Sequence, residues 1–189
     1  MTALRQEGQP AGGRRTVTQP GDPLLPRRVF TWAETGRDLR LRLAPGAELL
    51  AELARCLSAR GIKSAALQIL SGSFDQVSYF TGMVDETGAR VATYGAARQL
   101  AGPVLLLGAN AIFGLGEGGV PLVHCHAVMV DADGRVHGGY LPVEGCILGE
   151  AGAVVMAAPL EGAGFAVSYD SETNYALFHP SGPGSSGKA

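Results

Sequence analysis

The pattern of apolar and polar residues predicts short β-strands over most of the chain. The stretch DLRLRL (Asp38 to Leu43) alternates apolar and polar residues, which indicates a strand with one buried face. Further strand candidates are rich in Val, Tyr, Phe and Thr and are separated by glycines rather than by long polar loops. They are IKSAALQIL, FDQVSYFTGMVD, ARVATYGAARQLAGPVLLLGANA, AGAVVMAAPL and GFAVSYD.

One segment, PGAELLAELARCLSARG, instead has the spacing of an amphipathic helix. Its apolar residues recur on one helical face, and Gly61 stands where a helix C-terminal glycine belongs. The residues of this face are Leu49, Leu50, Leu53, Cys56 and Leu57. One main helix with seven or more short strands predicts an α+β fold built on a largely antiparallel β-sheet or partial barrel.

The chain has the length and composition of one domain with polar ends. Hydrophobic residues make up 46% of its 189 residues and charged residues 17%, which excludes global disorder. Residues 1–28 contain five arginines and little apolar content, so we predict a disordered basic arm there. We place the folded domain at residues 29–179 and a flexible tail at residues 180–189.

Charge and cysteine usage narrow the class of protein. The net charge of −2 gives no general electrostatic case for binding nucleic acid or a membrane surface. Three scattered cysteines argue against a disulfide framework, and no apolar run is long enough for a membrane span or a signal peptide. We therefore expect a cytoplasmic protein.

Three of the four histidines lie in one predicted hairpin, VPLVHCHAVMVDADGRVHGGY. His124 and His126 are two residues apart, so in a strand they project from the same face. DADG supplies the turn, with Gly134 free to adopt a positive φ. Cys125, between the two histidines, points to the other face and is expected in a core or interface.

The register of this hairpin decides which residue of the returning strand joins the pair. If Ala132 to Gly134 form the loop, Tyr140 lies opposite His126 and His137 faces the other side. If the loop is one residue longer, His137 joins the histidine face. A bulge at Gly138-Gly139 would change the register partway, and the sequence leaves these alternatives open.

Two imidazoles about 7 Å apart along a strand can converge on one metal ion. With a third ligand from the neighbouring strand and an open position for water, they would match the pattern of catalytic zinc sites. The alternative is that the histidines are ordinary half-buried strand residues, hydrogen-bonded to backbone or carboxylate groups. Glu144, soon after the hairpin, is a weak candidate for a proton-transferring carboxylate.

Several motifs in order resemble the PPC domain, the "plants and prokaryotes conserved" domain. They are Gly102-Pro103 before an apolar strand, a Gly-rich turn, His124-x-His126, DGRVxGG and EGCILG, preceded by a similar opening strand, helix and Gly-Ser turn. The resemblance covers residues ~39 to ~170. It implies an α+β domain that assembles as a homotrimer and, in plants, accompanies AT-hook DNA-binding motifs.

The resemblance also implies a metal centre. Prokaryotic members often carry a three-histidine zinc-type site, and their fold is similar to that of acetolactate decarboxylase, a zinc lyase. The first two ligands match His124 and His126, whereas the third usually falls in GGH, which here reads Gly138-Gly139-Tyr140. Tyrosine is a poor zinc ligand unless its phenol ionises, so the third ligand is either Tyr140 or, in the alternative register, His137.

Two classes of function remain on this evidence. We favour a homotrimeric binding or regulatory module that holds zinc or another divalent metal and that associates with DNA. The basic arm lacks the Arg-Gly-Arg core of an AT-hook, so the DNA hypothesis depends mainly on the resemblance. The alternative is a zinc-dependent lyase or hydrolase that acts on a small acid or ester.

Overall fold

The computed structural model describes residues 19–23 and 33–182. This part of the chain forms one helix, one short 3-10 turn (Glu117–Gly119) and eleven strands. The helix is α1 (Leu49–Ser58). The strands are β1 (Glu34–Thr35), β2 (Leu39–Leu43), β3 (Ala65–Tyr79), β4 (Gly82–Met83), β5 (Thr93–Tyr94), β6 (Arg98–Leu115), β7 (Pro121–Val130), β8 (Val136–Leu141), β9 (Cys146–Glu161), β10 (Gly164–Asp170) and β11 (Tyr175–Ser181).

Nine of these strands form a single sheet around the long strands β3, β6 and β9. The path runs β1-β9-β3-β6-β10-β11, while β2 pairs with β9 and the β7–β8 hairpin pairs with β6 through β7. All the pairings are antiparallel except the short one between β6 and β10. The expected α+β fold with a largely antiparallel sheet is confirmed, and the sheet is not closed into a barrel.

The helix covers the inner face of this sheet, against β7 and β9. Leu49, Leu50, Leu53 and Leu57 are almost completely buried, as their spacing predicts, whereas Cys56 is only half-buried. At its end Gly61 has a φ of 72° and its N–H donates to the carbonyl of Ser58. Burying apolar side chains of this size stabilises the fold by about 1.5–3 kcal/mol each.

The helix start is tied to the loop that follows β8. The carboxylate of Glu48 accepts hydrogen bonds from the N–H groups of Gly145 and Cys146, at 2.9 and 3.0 Å. These bonds join positions almost 100 residues apart and fix the chain where it leaves the histidine hairpin.

Two stretches differ from the sequence prediction. IKSAALQIL and the first half of FDQVSYFTGMVD form one strand, because β3 continues to Tyr79 and absorbs the irregularity in bulges between Ile69 and Gln76, while Gly82–Met83 form β4. The sequence prediction also ends the strands before His179, which the structure places in β11, where its Nε2 is buried without a hydrogen-bond partner among the described residues. Pro180 argues against a strand there, but among the described strands β11 pairs with β10 alone, and an edge strand tolerates proline.

The predicted arm and tail fall largely outside the described residues. Of residues 1–28 the structure describes 19–23, and of residues 180–189 it describes 180–182, the first two of which belong to β11. Within the described ranges, α1 has ten residues, and no helix there is long and apolar enough to cross a membrane.

Candidate functional site

The β7–β8 hairpin adopts the first of the two registers that the sequence allows. Asp131 donates its N–H to the carbonyl of Arg135 at 3.0 Å across a three-residue loop, and Gly134 in that loop has a φ of 79°. His126 therefore lies opposite Tyr140, and Met129 lies opposite His137. The pairing continues through Gly138 and Gly139 without a shift, so the predicted alternative of a bulge there is wrong.

His124 and His126 project from the face of β7 that is not covered by the helix. Cys125 between them is fully buried on the opposite face, as the alternation predicts. Burial raises the pKa of the Cys125 thiol to about 12, so the sulfur stays protonated at neutral pH. Since only the thiolate binds metals well, Cys125 is a core residue rather than a ligand.

The two imidazole rings converge. Their Nε2 atoms are 3.0 Å apart and share a hydrogen bond, with the ring centroids separated by 5.0 Å. Such a bond requires that one Nε2 donates a proton and that the other accepts it, so binding of both Nε2 atoms to one ion requires that the donating ring carry its proton on Nδ1 instead. Burial, and secondly the proximity of His126, lower the pKa of His124, which favours the neutral imidazole that metal ions bind.

Tyr140 packs against this pair with the face of its ring. It stacks on His124 at 4.9 Å and 25°, and on Tyr94 at 5.3 Å and 28°. Burial raises the pKa of the Tyr140 phenol, so the group stays neutral at physiological pH. A neutral phenol that stacks on a histidine orients that ring but is a weak metal donor.

His137 does not join the pair, so the alternative register that would make it a third ligand is wrong. The Nε2 of His137 donates to the carboxylate of Asp131 at 2.8 Å, and its Nδ1 accepts from the hydroxyl of Tyr79 at 2.9 Å. Both ring nitrogens are thus already bonded on the other face of the hairpin. The hydrogen bond from His137 is the main reason that the pKa of Asp131 is lowered.

The placement of Tyr140 depends on contacts that the sequence did not reveal. Tyr140 and Phe80, which follows the end of β3, exchange two backbone hydrogen bonds of 2.9 Å. Gly139 allows this approach because it has no side chain. A Cβ at this position would overlap the carbonyl oxygen of Phe80, and residues with a side chain rarely adopt its φ of 158°. Tyr94 reaches the cluster from the small β4–β5 hairpin.

Glu144, the weak catalytic candidate, lies exposed in the loop between β8 and β9. Within the described residues, neither a hydrogen bond nor an ion pair connects it to the two histidines. The carboxylate that organises this loop is Glu48, from the start of the helix.

The donor atoms therefore fit a metal ion as a two-histidine chelate. Both Nε2 atoms point to one place on an accessible face, and imidazole suits zinc, copper and nickel. Among residues 19–23 and 33–182, no group of three or more His, Cys, Asp or Glu side chains could hold an ion. A three-histidine set within one copy of the described chain is not formed.

Comparisons with known proteins agree on the type of domain. The sequence model of the Plants and Prokaryotes Conserved (PCC) domain matches residues 31–158. No protein of curated function matches the chain.

Three solved structures resemble the chain throughout their own length. A metal-containing protein of Archaeoglobus fulgidus is 24% identical, with a TM-score of 0.66, over 80% of this chain and 99% of that one. A plant- and prokaryote-conserved protein of Pyrococcus horikoshii is 25% identical, with a TM-score of 0.62, over 80% and 97%. A candidate DNA-binding protein of Ralstonia eutropha is 18% identical, with a TM-score of 0.59, over 74% and 89%.

Proposed function

Because the chain belongs to the Plants and Prokaryotes Conserved domain family, we propose that it is a binding module that holds a divalent metal ion, zinc in the first instance, between His124 and His126. The observation that carries the proposal is the convergence of the two Nε2 atoms, 3.0 Å apart on the uncovered face of β7. The A. fulgidus protein of similar fold contains metal, which supports the same assignment here.

A bound ion would supply a Lewis acid with positions open to water or to a ligand. The chain's own contribution is orientation: Tyr140 fixes the ring of His124 by stacking, and burial keeps that ring neutral. No described acid or base is hydrogen-bonded to the pair, so we assign binding rather than catalysis. Dialysis of the purified protein against zinc is expected to retain about one ion per chain, and a protein that retains none would refute the assignment.

We further propose that the module is a homotrimer that assembles through the uncovered face of the sheet. Four large apolar side chains are exposed there: Leu70 by 41%, Leu105 by 54%, Leu107 by 51% and Val128 by 47%. Leu70, Leu107 and Val128 line a groove of about 340 Å³, and its described lining includes Gln68 and Asn110 but no charged residue. A patch of this kind is unusual on a monomer, and carboxamides both donate and accept, so they can pair with groups of a second copy.

Replacing Leu107 with lysine is expected to weaken self-association roughly 100-fold, because each interface would bury an unpaired charge. Leu177→Lys is the matched control, since Leu177 is 39% exposed on the distant strand β11. Sedimentation velocity should show trimers for the wild type and for Leu177→Lys, and smaller species for Leu107→Lys. Equal association of both variants would exclude this face as the interface.

We propose DNA as a candidate partner, reached through the basic arm. Five of the chain's 15 basic residues but only two of its 17 acidic residues lie in residues 1–28, so the remainder carries a net charge of −5. An acidic domain repels phosphate, and an arginine-rich arm attracts it. The similar R. eutropha protein, a candidate DNA-binding protein, gives this partner its support.

In a gel-shift assay at low salt, the full chain is expected to bind duplex DNA weakly and the chain without residues 1–28 is expected not to bind. Binding by the full chain should fall steeply as salt is added, because it rests on phosphate contacts. If neither protein shifts DNA at low salt, DNA is not the partner.

The three unpaired thiols support the expected cytoplasmic location.

A further inference from the structure

The metal site and the self-association face are the same surface of the sheet. Val128 follows His126 by two residues on β7, so the two side chains project from one face about 7 Å apart. Asn110 lies directly opposite His126 on β6 and also lines the groove. A second copy seated on Val128 and Asn110 therefore reaches the edge of the histidine pair.

The groove itself is formed by a β-bulge next to the pair. The pairing of β6 with β7 shifts between Leu106 and Gly108, so both Leu107 and Gly108 turn toward the uncovered face opposite Val128. Gly108 has no side chain to fill the space, which leaves a depression two residues along β6 from Asn110. The lining is neutral, so it suits an uncharged part of another copy better than an acidic or basic partner.

The histidine pair is also incomplete by itself. Structural zinc sites in proteins have four protein ligands, and catalytic zinc sites have three with a water molecule. The described part of one chain offers two. From these facts and the trimer and metal binding proposed above, we infer that a second copy completes the site at His124 and His126, so that metal binding and self-association are coupled.

The coupling has a direct physical origin. His126 is exposed in the single chain, and its ring must be immobilised when an ion binds, at a cost in conformational entropy. A second copy against the neighbouring Val128 would restrict that ring beforehand and could bring further donor atoms to the ion. Each event then favours the other by the same factor, as thermodynamic linkage requires.

The test measures both equilibria on the full chain. Sedimentation velocity gives the strength of association with and without zinc, and competition with a chromophoric chelator gives zinc affinity. The groove-filling variant is Gly108→Leu, because a Cβ at Gly108 meets only the Ile69 carbonyl oxygen, at 3.8 Å, and the fold can accept it. Ala176→Leu on the exposed part of β11 is the matched control.

We expect zinc to strengthen association of the wild type and of Ala176→Leu by about tenfold or more per subunit. Gly108→Leu should associate less and bind zinc about tenfold more weakly, and His124→Ala/His126→Ala should associate without responding to zinc. Wild-type association that zinc does not change overturns the coupling. A Gly108→Leu variant that is monomeric but binds zinc as tightly as the wild type also overturns the coupling. That result would leave the proposed metal-binding module intact. A wild type that binds no zinc overturns both.

Discussion

Replacing both histidines of the pair with alanine (His124→Ala/His126→Ala) is expected to abolish zinc binding while the domain remains folded. The two Nε2 atoms are the only convergent imidazole donors that the described residues place on this face. Neither side chain belongs to the buried core, so their removal leaves the packing of α1 against the sheet unchanged. The measurements are zinc content after dialysis and the thermal unfolding midpoint.

The control for this variant is His179→Ala, which removes a histidine on β11, away from the pair. It should keep the zinc of the wild type. Zinc retained by the double variant would show that the ion binds elsewhere, whereas zinc lost equally from His179→Ala would show that the loss is not specific to the pair.

Zinc binding should also weaken in acid, because protons compete for the same Nε2 atoms. The pKa of His124 is lowered from its usual value by burial and by His126, so this ring becomes protonated only below the ordinary range of histidine, near 6.5. The affinity for zinc, measured by chelator competition across pH, should therefore hold at neutral pH and fall as the solution is made acidic.

The second large effect is expected from Gly139→Ala, which should destabilise the domain by about 3 kcal/mol. A methyl group at this position would overlap the carbonyl oxygen of Phe80, and the backbone there has a φ that L-residues rarely adopt. Relieving the overlap breaks the two backbone hydrogen bonds between Phe80 and Tyr140. Two such bonds contribute about 1 kcal/mol each, and the strain adds a similar amount.

Gly134→Ala is the matched control for this prediction. Gly134 is in the turn of the same hairpin and also has a positive φ, but nothing lies within 4 Å of a Cβ placed there. It should cost only about 1 kcal/mol, the penalty of the left-handed conformation. Urea unfolding of the two variants separates the cost of the steric overlap from the cost of the backbone conformation. Equal losses in the free energy of unfolding would mean that the contact with Phe80 contributes nothing.

The elements of the hairpin could be predicted from sequence because their causes are local. The period of two places His124 and His126 on one face and Cys125 on the other, and DADG with Gly134 predicts the turn, whereas the length of the loop was left open between three and four residues. The helix was predictable for the same reason, since its buried leucines recur at helical spacing.

The surroundings of the pair could not be predicted, because they come from contacts between distant parts of the chain. Tyr79 meets His137 across 58 positions, and Tyr94 stacks on Tyr140 from a separate small hairpin. Nothing in the sequence near Tyr140 indicates that its ring would stack on His124 rather than point to an ion. Likewise, the bulges of β3 depend on its neighbouring strands β6 and β9, so the sequence suggested a break where β3 continues.

Histidine nitrogen NMR tests the central claim most directly, because the chain has only four histidines. Long-range proton–nitrogen spectra can be recorded on the labelled full chain before and after the addition of zinc. We predict that the Nε2 signals of His124 and His126 shift together at about one equivalent, while the ring signals of His137 and His179 keep their positions. Shifts at His137 or His179, or at only one ring of the pair, would contradict the claim that these two imidazoles bind one ion.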